Sequence, residues 1–119
     1  MKKILVIEDN ETNLYMMRFL LEENNYEVVE ARDGIEGVKL AVSEEPDLIL
    51  MDIQLPLLDG YEATMQIKTN EKIKHIPIIA LTSYAMVGDK EKTLKAGCNG
   101  YIEKPINPET LMAEIEKYL

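Results

Sequence analysis

One cysteine and one histidine are the only thiol and imidazole side chains in this 119-residue chain, and its 13 basic residues are outnumbered by 22 acidic ones. Each shortage excludes something. Cys98 has no partner for an internal disulfide, which suits a reducing cytoplasm. Without a CxxC pair, and with His75 the sole histidine, there is no ligand set for structural zinc. A net charge of −9 and an isoelectric point near 4.6 repel nucleic acid and anionic membrane, and they favour divalent cations or basic partner surfaces. No apolar run reaches the roughly 20 residues of a bilayer span, and the N-terminus enters a strand pattern at once, with no signal-peptide layout. Repeats, low-complexity tracts and linkers are absent too. What remains is 46% hydrophobic and 29% charged, enough chain for one core and too little for two, so a single domain over 1–119 is expected.

The apolar runs that are present have a common grammar. Ile4-Leu5-Val6-Ile7 is short, β-branched and wholly apolar, and it stops at Glu8-Asp9-Asn10. Leu48-Ile49-Leu50-Met51 follows the Pro46-Asp47 break and stops at Asp52. Runs of this kind read as strands buried on both faces of a parallel sheet. Ile76-Pro77-Ile78-Ile79-Ala80-Leu81 is a third, with its proline tolerable at the start, and it stops at Thr82 and Ser83. A short strand over 99–103 leads to Lys104-Pro105, and a more polar one over 26–31 suits a sheet edge.

Helical periodicity fills the intervals. Asn10 caps a helix reaching about Asn24, with Leu14, Met17, Leu20 and Leu21 at helical spacing. Asp33-Gly34 opens a second, with Ile35, Val38, Ala41 and Val42 on its inward face and Pro46 closing it. Past a rigid loop over 54–60, a third runs from about Tyr61 to Lys68 with Ala63 and Ile67 inward. A fourth covers roughly Gly88 to Ala96 with Gly97 as a left-handed stop, and a fifth begins at Asn107-Pro108 and carries Leu111, Met112, Ile115, Tyr118 and Leu119. Alternation of this kind with short connections forces right-handed crossovers and a doubly wound α/β fold, a five-stranded parallel sheet flanked by five helices. The common strand order is 2-1-3-4-5, with the switch point between strands one and three.

That switch point gathers chemistry. Glu8 and Asp9 end the first strand and Asp52 the third, so three carboxylates meet in one crevice, where mutual repulsion requires a neutralising cation. Mg²⁺ suits an all-oxygen site that keeps waters for a phosphate to replace, and Mn²⁺ can stand in for it. Asp9, Asp52 and the Gln54 backbone carbonyl are expected as direct ligands, with Glu8 acting through water. Thr82 and Lys104 reach the same edge from strands four and five. A hydroxyl donor and an ammonium facing a metal-bound carboxylate make a pocket for a transferred phosphoryl group. There Asp52 attacks, Mg²⁺ and Lys104 balance the oxygens' charge, and Thr82 donates a hydrogen bond. Taken singly, Glu8-Asp9 reads as a solvated acidic turn, Thr82 as an ordinary strand-end residue and Lys104 as a surface lysine paired with an acid. Four of five strands ending in the right group outweigh those separate readings.

Glu8-Asp9-Asn10, Leu50-Met51-Asp52 with Pro56 and Asp59-Gly60 after it, Ala80-Leu81-Thr82, and Tyr101 through Lys104-Pro105 together resemble the receiver domain of two-component response regulators along the whole chain. The segment 85–89 and the Ala96-Gly97-Cys98 turn are most similar to single-domain cell-division regulators of the DivK type and to receivers of hybrid kinases. Receivers themselves exemplify the 2-1-3-4-5 order, so that order is not an independent prediction. The resemblance implies that Asp52 takes a phosphoryl group from a phosphohistidine donor, a histidine kinase or a histidine phosphotransfer protein, with Mg²⁺. It implies that Glu8 and Asp9 hold the metal and that Lys104 contacts the phosphoryl group. Thr82 then moves toward the phosphate and Tyr101 turns inward, reshaping the face of the fourth helix, fifth strand and fifth helix for a downstream protein target. A cis Lys104-Pro105 bond is implied as well. Ser83 stands where such domains often have alanine, and with Gln54 and Tyr84 it lines the path of water to the phosphoryl group. The expected activity is a switch's own phosphotransfer and slow dephosphorylation, not turnover of a substrate.

Other classes are tested by the same residues. A flavin carrier on this fold needs a hydroxyl- and glycine-rich loop after strand one, where this chain has carboxylates. An aspartate-nucleophile phosphatase needs a second aspartate two residues after the first, where this chain has Gln54. A binding module that works without phosphorylation has no use for the complete acidic pocket. Tyr84, Met86 and Val87 read equally as helix packing or as a partner surface, the methionines as core filler, His75 as a loop residue and Cys98 as a small buried one.

Overall fold

The computed structural model describes residues 1–83 and 89–119. Among them, strands β1 Lys3–Ile7, β2 Glu27–Ala31, β3 Leu48–Asp52, β4 Ile78–Thr82 and β5 Gly100–Glu103 alternate with helices α1 Glu11–Glu23, α2 Gly34–Glu44, α3 Gly60–Lys68, α4 Asp89–Ala96 and α5 Pro108–Glu116. All neighbouring strands pair in parallel, in the order β2-β1-β3-β4-β5. The expected topology is therefore observed. The expectations placed on Tyr84, Met86 and Val87, and on a fourth helix beginning at Gly88, lie outside the described residues. No helix among the described residues is long and apolar enough to cross a membrane.

Alternation along the central strands divides the core into two layers. Leu5, Ile7, Ile49, Met51, Ile78 and Ala80 point to one face with Ala41, Ala63 and Ile67 of α2 and α3. Ile4, Val6, Leu48, Leu50, Ile79 and Leu81 point to the other with Leu14, Met17 and Leu21 of α1 and Leu111 and Ile115 of α5. Every residue of β3 is buried, including Asp52. Each large apolar side chain buried this way contributes about 1.5–3 kcal/mol, so the four that precede Asp52 outweigh the several kcal/mol that burying one carboxylate costs. β2 is the most polar strand, as its edge position allows.

Local signals set the boundaries. Asn10, Asp33, Asp59 and Asn107 each accept a backbone N–H of the first helical turn, capping α1, α2, α3 and α5. The cap at Asp59 starts α3 at Gly60, one residue earlier than expected. β4 begins at Ile78 instead of Ile76, because Pro77 has no N–H to place in the ladder and serves it through its carbonyl, which accepts from Ile49 N–H at 2.9 Å. Gly97 stops α4 at φ 115°, and the Lys104–Pro105 peptide is cis.

One inward residue was misplaced by periodicity. Ile35 is 45% exposed and lines a shallow cleft of about 280 Å³ with Asp33, Glu36, Lys39 and Leu57. The face of α2 that Ile35 was expected to share is occupied at that level by glycine. A Cβ on Gly34 would lie 1.9 Å from the Leu58 carbonyl oxygen, and one on Gly37 would lie 2.6 Å from the Ile7 side chain. The helix approaches the loop after β3 so closely that backbone meets backbone there, and the larger side chain turns outward. Gly34→Ala is thus expected to push that loop off α2 and to destabilise the protein by about 1–3 kcal/mol in urea unfolding. The exposed Ser43→Ala change on the same helix should stay within about 0.5 kcal/mol of wild type, and equal effects of the two would refute the close approach.

Candidate functional site

The ladder itself delivers the polar residues to one level. Ile7 pairs with Met51, Asp52 with Leu81, and Thr82 with Glu103, so the next residues beyond β1 and β5, Glu8 and Lys104, flank the ends of β3 and β4. Backbone pairing continues past the strand ends and fixes this edge. Glu8 N–H donates to the Ala31 carbonyl at 2.9 Å, Ile53 N–H to Leu81 at 3.1 Å and Lys104 N–H to Thr82 at 2.7 Å.

Lys104 is placed between two carboxylates. Its Nζ lies 2.7 Å from Glu8 Oε1 and 3.2 Å from Asp52 Oδ2. Glu8 is fully buried, Asp52 is 3% exposed, and Asp9 faces solvent. One carboxylate oxygen from each of the three acids lies within 4.8 Å of the others. Gln54 contributes its backbone N–H, which donates to Asp52 Oδ1 at 3.0 Å. Thr82 is buried at the end of β4, and Tyr101 is half-buried on β5 opposite Ala80. The structure thus gathers Glu8, Asp9, Asp52 and Lys104 into one contact cluster, with Thr82 at its level and Tyr101 three residues before Lys104.

Two contacts were not anticipated from the sequence. The Asn10 N–H donates to Glu8 Oε2 at 3.4 Å and the Asn13 side-chain amide to Glu8 Oε1 at 3.3 Å. A signal existed for Asn13: it is the third residue of α1, and side chains there fold back toward the cap and the strand end before it.

The electrostatics follow from crowding. Three carboxylates against one ammonium leave two negative charges uncompensated. Burial opposes charge on Asp52, and the Glu8 carboxylate beside it, through both a hydrogen bond and repulsion, adds to this. Lys104 and the Gln54 N–H pull the other way and lose, so the Asp52 carboxyl is pushed up to about 7. Burial also works against Glu8, but the hydrogen bonds from Asp52 and Lys104, the lysine's charge and the Asn10 N–H together hold it below the usual carboxylate range. Lys104 loses some proton affinity to burial and regains more from the two acids, so its ammonium is kept charged. The donors are oxygens only, one acid is open to solvent, and the charge deficit is two. The residues present fit a hard divalent cation.

The sequence profile described as the response regulator receiver domain matches residues 4–116. The chain belongs to the response regulator receiver family. Among curated relatives, this receiver is 45% identical over 118 residues to the polar-differentiation response regulator DivK of Brucella ovis, covering 99% of this chain and 96% of that one. Among solved structures, it is 40% identical to the receiver domain of sensor histidine kinase PA1611 of Pseudomonas aeruginosa, solved with a magnesium ion in the active-site cleft. The TM-score is 0.92, with 98% and 96% of the two chains covered. It is 33% identical, with a TM-score of 0.92 and coverage of 98% and 88%, to a receiver of Saccharomyces cerevisiae, that of Ssk1 in complex with the histidine phosphotransfer protein Ypd1. The chain is a receiver of two-component signalling, a switch and not an enzyme with substrate turnover, and it is similar to DivK-type regulators.

A pH dependence follows from the raised Asp52. An unfolded aspartate titrates near 3.8 and the folded one at about 7, so folding takes up a proton between these values, and stability falls as pH rises through that window. In metal-free buffer, wild type should lose thermal stability from about pH 5 to about pH 7.5 relative to Asp52→Asn, which lacks the titrating group. A divalent cation bound at Asp52 would have to displace that proton, so the apparent affinity for Mg²⁺ should rise by up to about tenfold per pH unit below 7 and level off above. A Mg²⁺ affinity that is flat across this range, measured by calorimetry, would count against the proton on Asp52.

Proposed function

We propose that Asp52 is the phosphoacceptor of this receiver and that Glu8, Asp9, Asp52 and the Gln54 backbone carbonyl form its Mg²⁺ site, with Asp9 and Asp52 as direct ligands and Glu8 acting through water. The observation that carries the reading is Lys104 Nζ bridging Glu8 and Asp52 at the sheet's switch point, with Asp9 beside them. The magnesium ion in the cleft of the PA1611 receiver supports the choice of metal, and Mn²⁺ should replace it. Bound there, the cation supplies charge neutralisation to the acids and to phosphoryl oxygens.

The residues then divide the work. Asp52, ionised, attacks the phosphorus of a phosphohistidine. The phosphorus–nitrogen bond breaks as the carboxylate oxygen–phosphorus bond forms, and the imidazole leaves with the electron pair. The Gln54 N–H holds the Asp52 oxygen that does not attack, and Lys104 moves from the carboxylate pair to a phosphoryl oxygen. Thr82 donates its hydroxyl to another, and Tyr101 follows it inward, which changes the surface built from α4, β5 and α5. The donor is a histidine kinase or a histidine phosphotransfer protein, as the Ypd1–Ssk1 pairing supports, and the changed surface meets a downstream protein. Ser83, Gln54 and Tyr84 set the rate at which water removes the phosphoryl group. The range 1–119 acts as one receiver domain, and the acidic charge with a single buried cysteine fits work in the cytoplasm.

Acetyl phosphate with Mg²⁺ should add one phosphoryl group to wild type, seen by intact-protein mass spectrometry, and none to Asp52→Asn or in the presence of a chelator. Thr82→Ala should still take the group but lose the phosphorylation-dependent NMR shifts around Tyr101. Incorporation that survives Asp52→Asn would sink the assignment. A wild type showing no Mg²⁺-dependent shifts would instead favour a binding module that works without phosphorylation.

A further inference from the structure

Glu8 is the most deeply buried acid of the pocket, and its carboxylate is held by more than Lys104. Two donors meet on Oε1, Lys104 Nζ at 2.7 Å and Asn13 Nδ2 at 3.3 Å, while the Asn10 N–H approaches Oε2 at 3.4 Å. Asn13 is itself anchored, because its backbone N–H donates to Asn10 Oδ1 at 3.0 Å. The two asparagines therefore exchange roles. Asn10 caps the helix with its side chain and holds Glu8 with its backbone, and Asn13 is capped through its backbone and holds Glu8 with its side chain.

The difference between the two Oε1 donors is what they are free to do. Lys104 is shared with Asp52, and in the proposed reaction it moves to a phosphoryl oxygen and so loosens its hold on Glu8. A buried carboxylate deprived of its cation is strongly disfavoured unless other donors remain on it. Asn13 is neutral, tied into the first turn of α1, and aimed at the same oxygen. A glutamate also has one more rotatable bond than an aspartate, so at this position a second fixed donor is needed to keep the carboxylate turned toward Asp9 and Asp52.

We propose that Asn13 is a positioning residue of the acid pocket: its amide keeps Glu8 oriented and hydrogen-bonded on Oε1, so that Lys104 can leave Glu8 while the carboxylate stays turned toward the metal position. This rests on the reading of Asp52 as a Mg²⁺-dependent phosphoacceptor. Asn13 touches none of the reacting atoms and acts through Glu8 alone, which distinguishes it from a residue that merely stiffens α1.

The test is a Mg²⁺ titration of the full chain followed by amide shifts of Asp9 and Gln54, in wild type, Asn13→Ala, Glu8→Gln and the double variant. Asn13→Ala should weaken Mg²⁺ by about tenfold, the scale of lost support behind a metal ligand. In the Glu8→Gln background the same change should move the dissociation constant by less than about twofold, because the group Asn13 acts through is already altered. Asn13→Gln, which keeps the amide, should recover most of the affinity. The cap uses the backbone of residue 13, so the variants should fold, and Asn13→Ser, too short to reach Oε1, repeats the comparison if Asn13→Ala does not.

An unchanged Mg²⁺ affinity in Asn13→Ala, or an equal loss in both backgrounds, would overturn the proposal. Acetyl phosphate labelling of the wild type separates this from the broader reading. Mg²⁺ binding without labelling would remove the phosphoacceptor assignment and leave the titration to decide on Asn13. No Mg²⁺-dependent shift in wild type would overturn both.

Discussion

One ammonium held between two buried carboxylates is the constraint on which this receiver is built. Lys104 reaches Glu8 and Asp52 at 2.7 and 3.2 Å in a place where neither acid has appreciable solvent. In that setting the pair is not a stabilising device. Desolvation removes much of what the ion pair returns, and the second acid has no cation of its own. The fold compensates by placing the cluster at the end of strands whose buried interior is apolar. β1 and β3 bring their apolar side chains to both core layers, and their buried charges appear only at the carboxyl edge, the one charge at the other end, Lys3, being partly exposed. The stable part of the sheet and the costly part are consecutive stretches of the same strands.

The geometry around the cluster is set mostly by backbone. Register pairs align four strand ends, and hydrogen bonds from Glu8, Ile53 and Lys104 carry the ladder one residue further. The loop after β3 is pinned from two sides. Gly34 meets the Leu58 carbonyl, and Gly60 returns its N–H to Ile53 at 2.9 Å, with room for no side chain between itself and the Asp52 backbone. At the β2 end of the site, Arg32 forms an ion pair with Glu11 across the first turn of α1. Gln54 presents its N–H to Asp52 Oδ1 from the start of this pinned loop.

Most of this was legible in the sequence for a simple reason: an abrupt change from apolar to polar or charged inside a short run marks both a buried strand and the sheet edge where it ends. Asp52, Glu8 and Thr82 were readable on that ground, and Lys104 by its place after the last strand. The cis Lys104–Pro105 bond came from family resemblance alone. What was not legible depended on close approach. Ile35 obeys the helical period but turns outward, because Gly34 and Gly37 hold the inward positions where α2 comes too near its neighbours for any side chain larger than glycine's hydrogen, and periodicity carries no information about that distance. Asn13 was missed because an asparagine early in a helix reads as capping chemistry, and only the fold shows that it faces a fully buried glutamate.

The division of labour between Glu8 and Asp52 then has a physical origin in their partners. The two carboxylates are similarly buried, yet one is held below the usual range and the other is raised to about 7. Glu8 has the hydrogen bond with Asp52, the nearer contact from Lys104 and the Asn10 N–H, all of which favour its anion, and the Asn13 amide also donates to it. Asp52 receives the longer lysine contact and one backbone N–H, and it has the Glu8 anion beside it. The acid surrounded by donors becomes the fixed charge of the pocket, and the acid with fewer becomes the one whose protonation a cation can change. The proposed nucleophile is the acid of the second kind, one that burial keeps largely neutral and that a divalent charge beside it would turn into an anion.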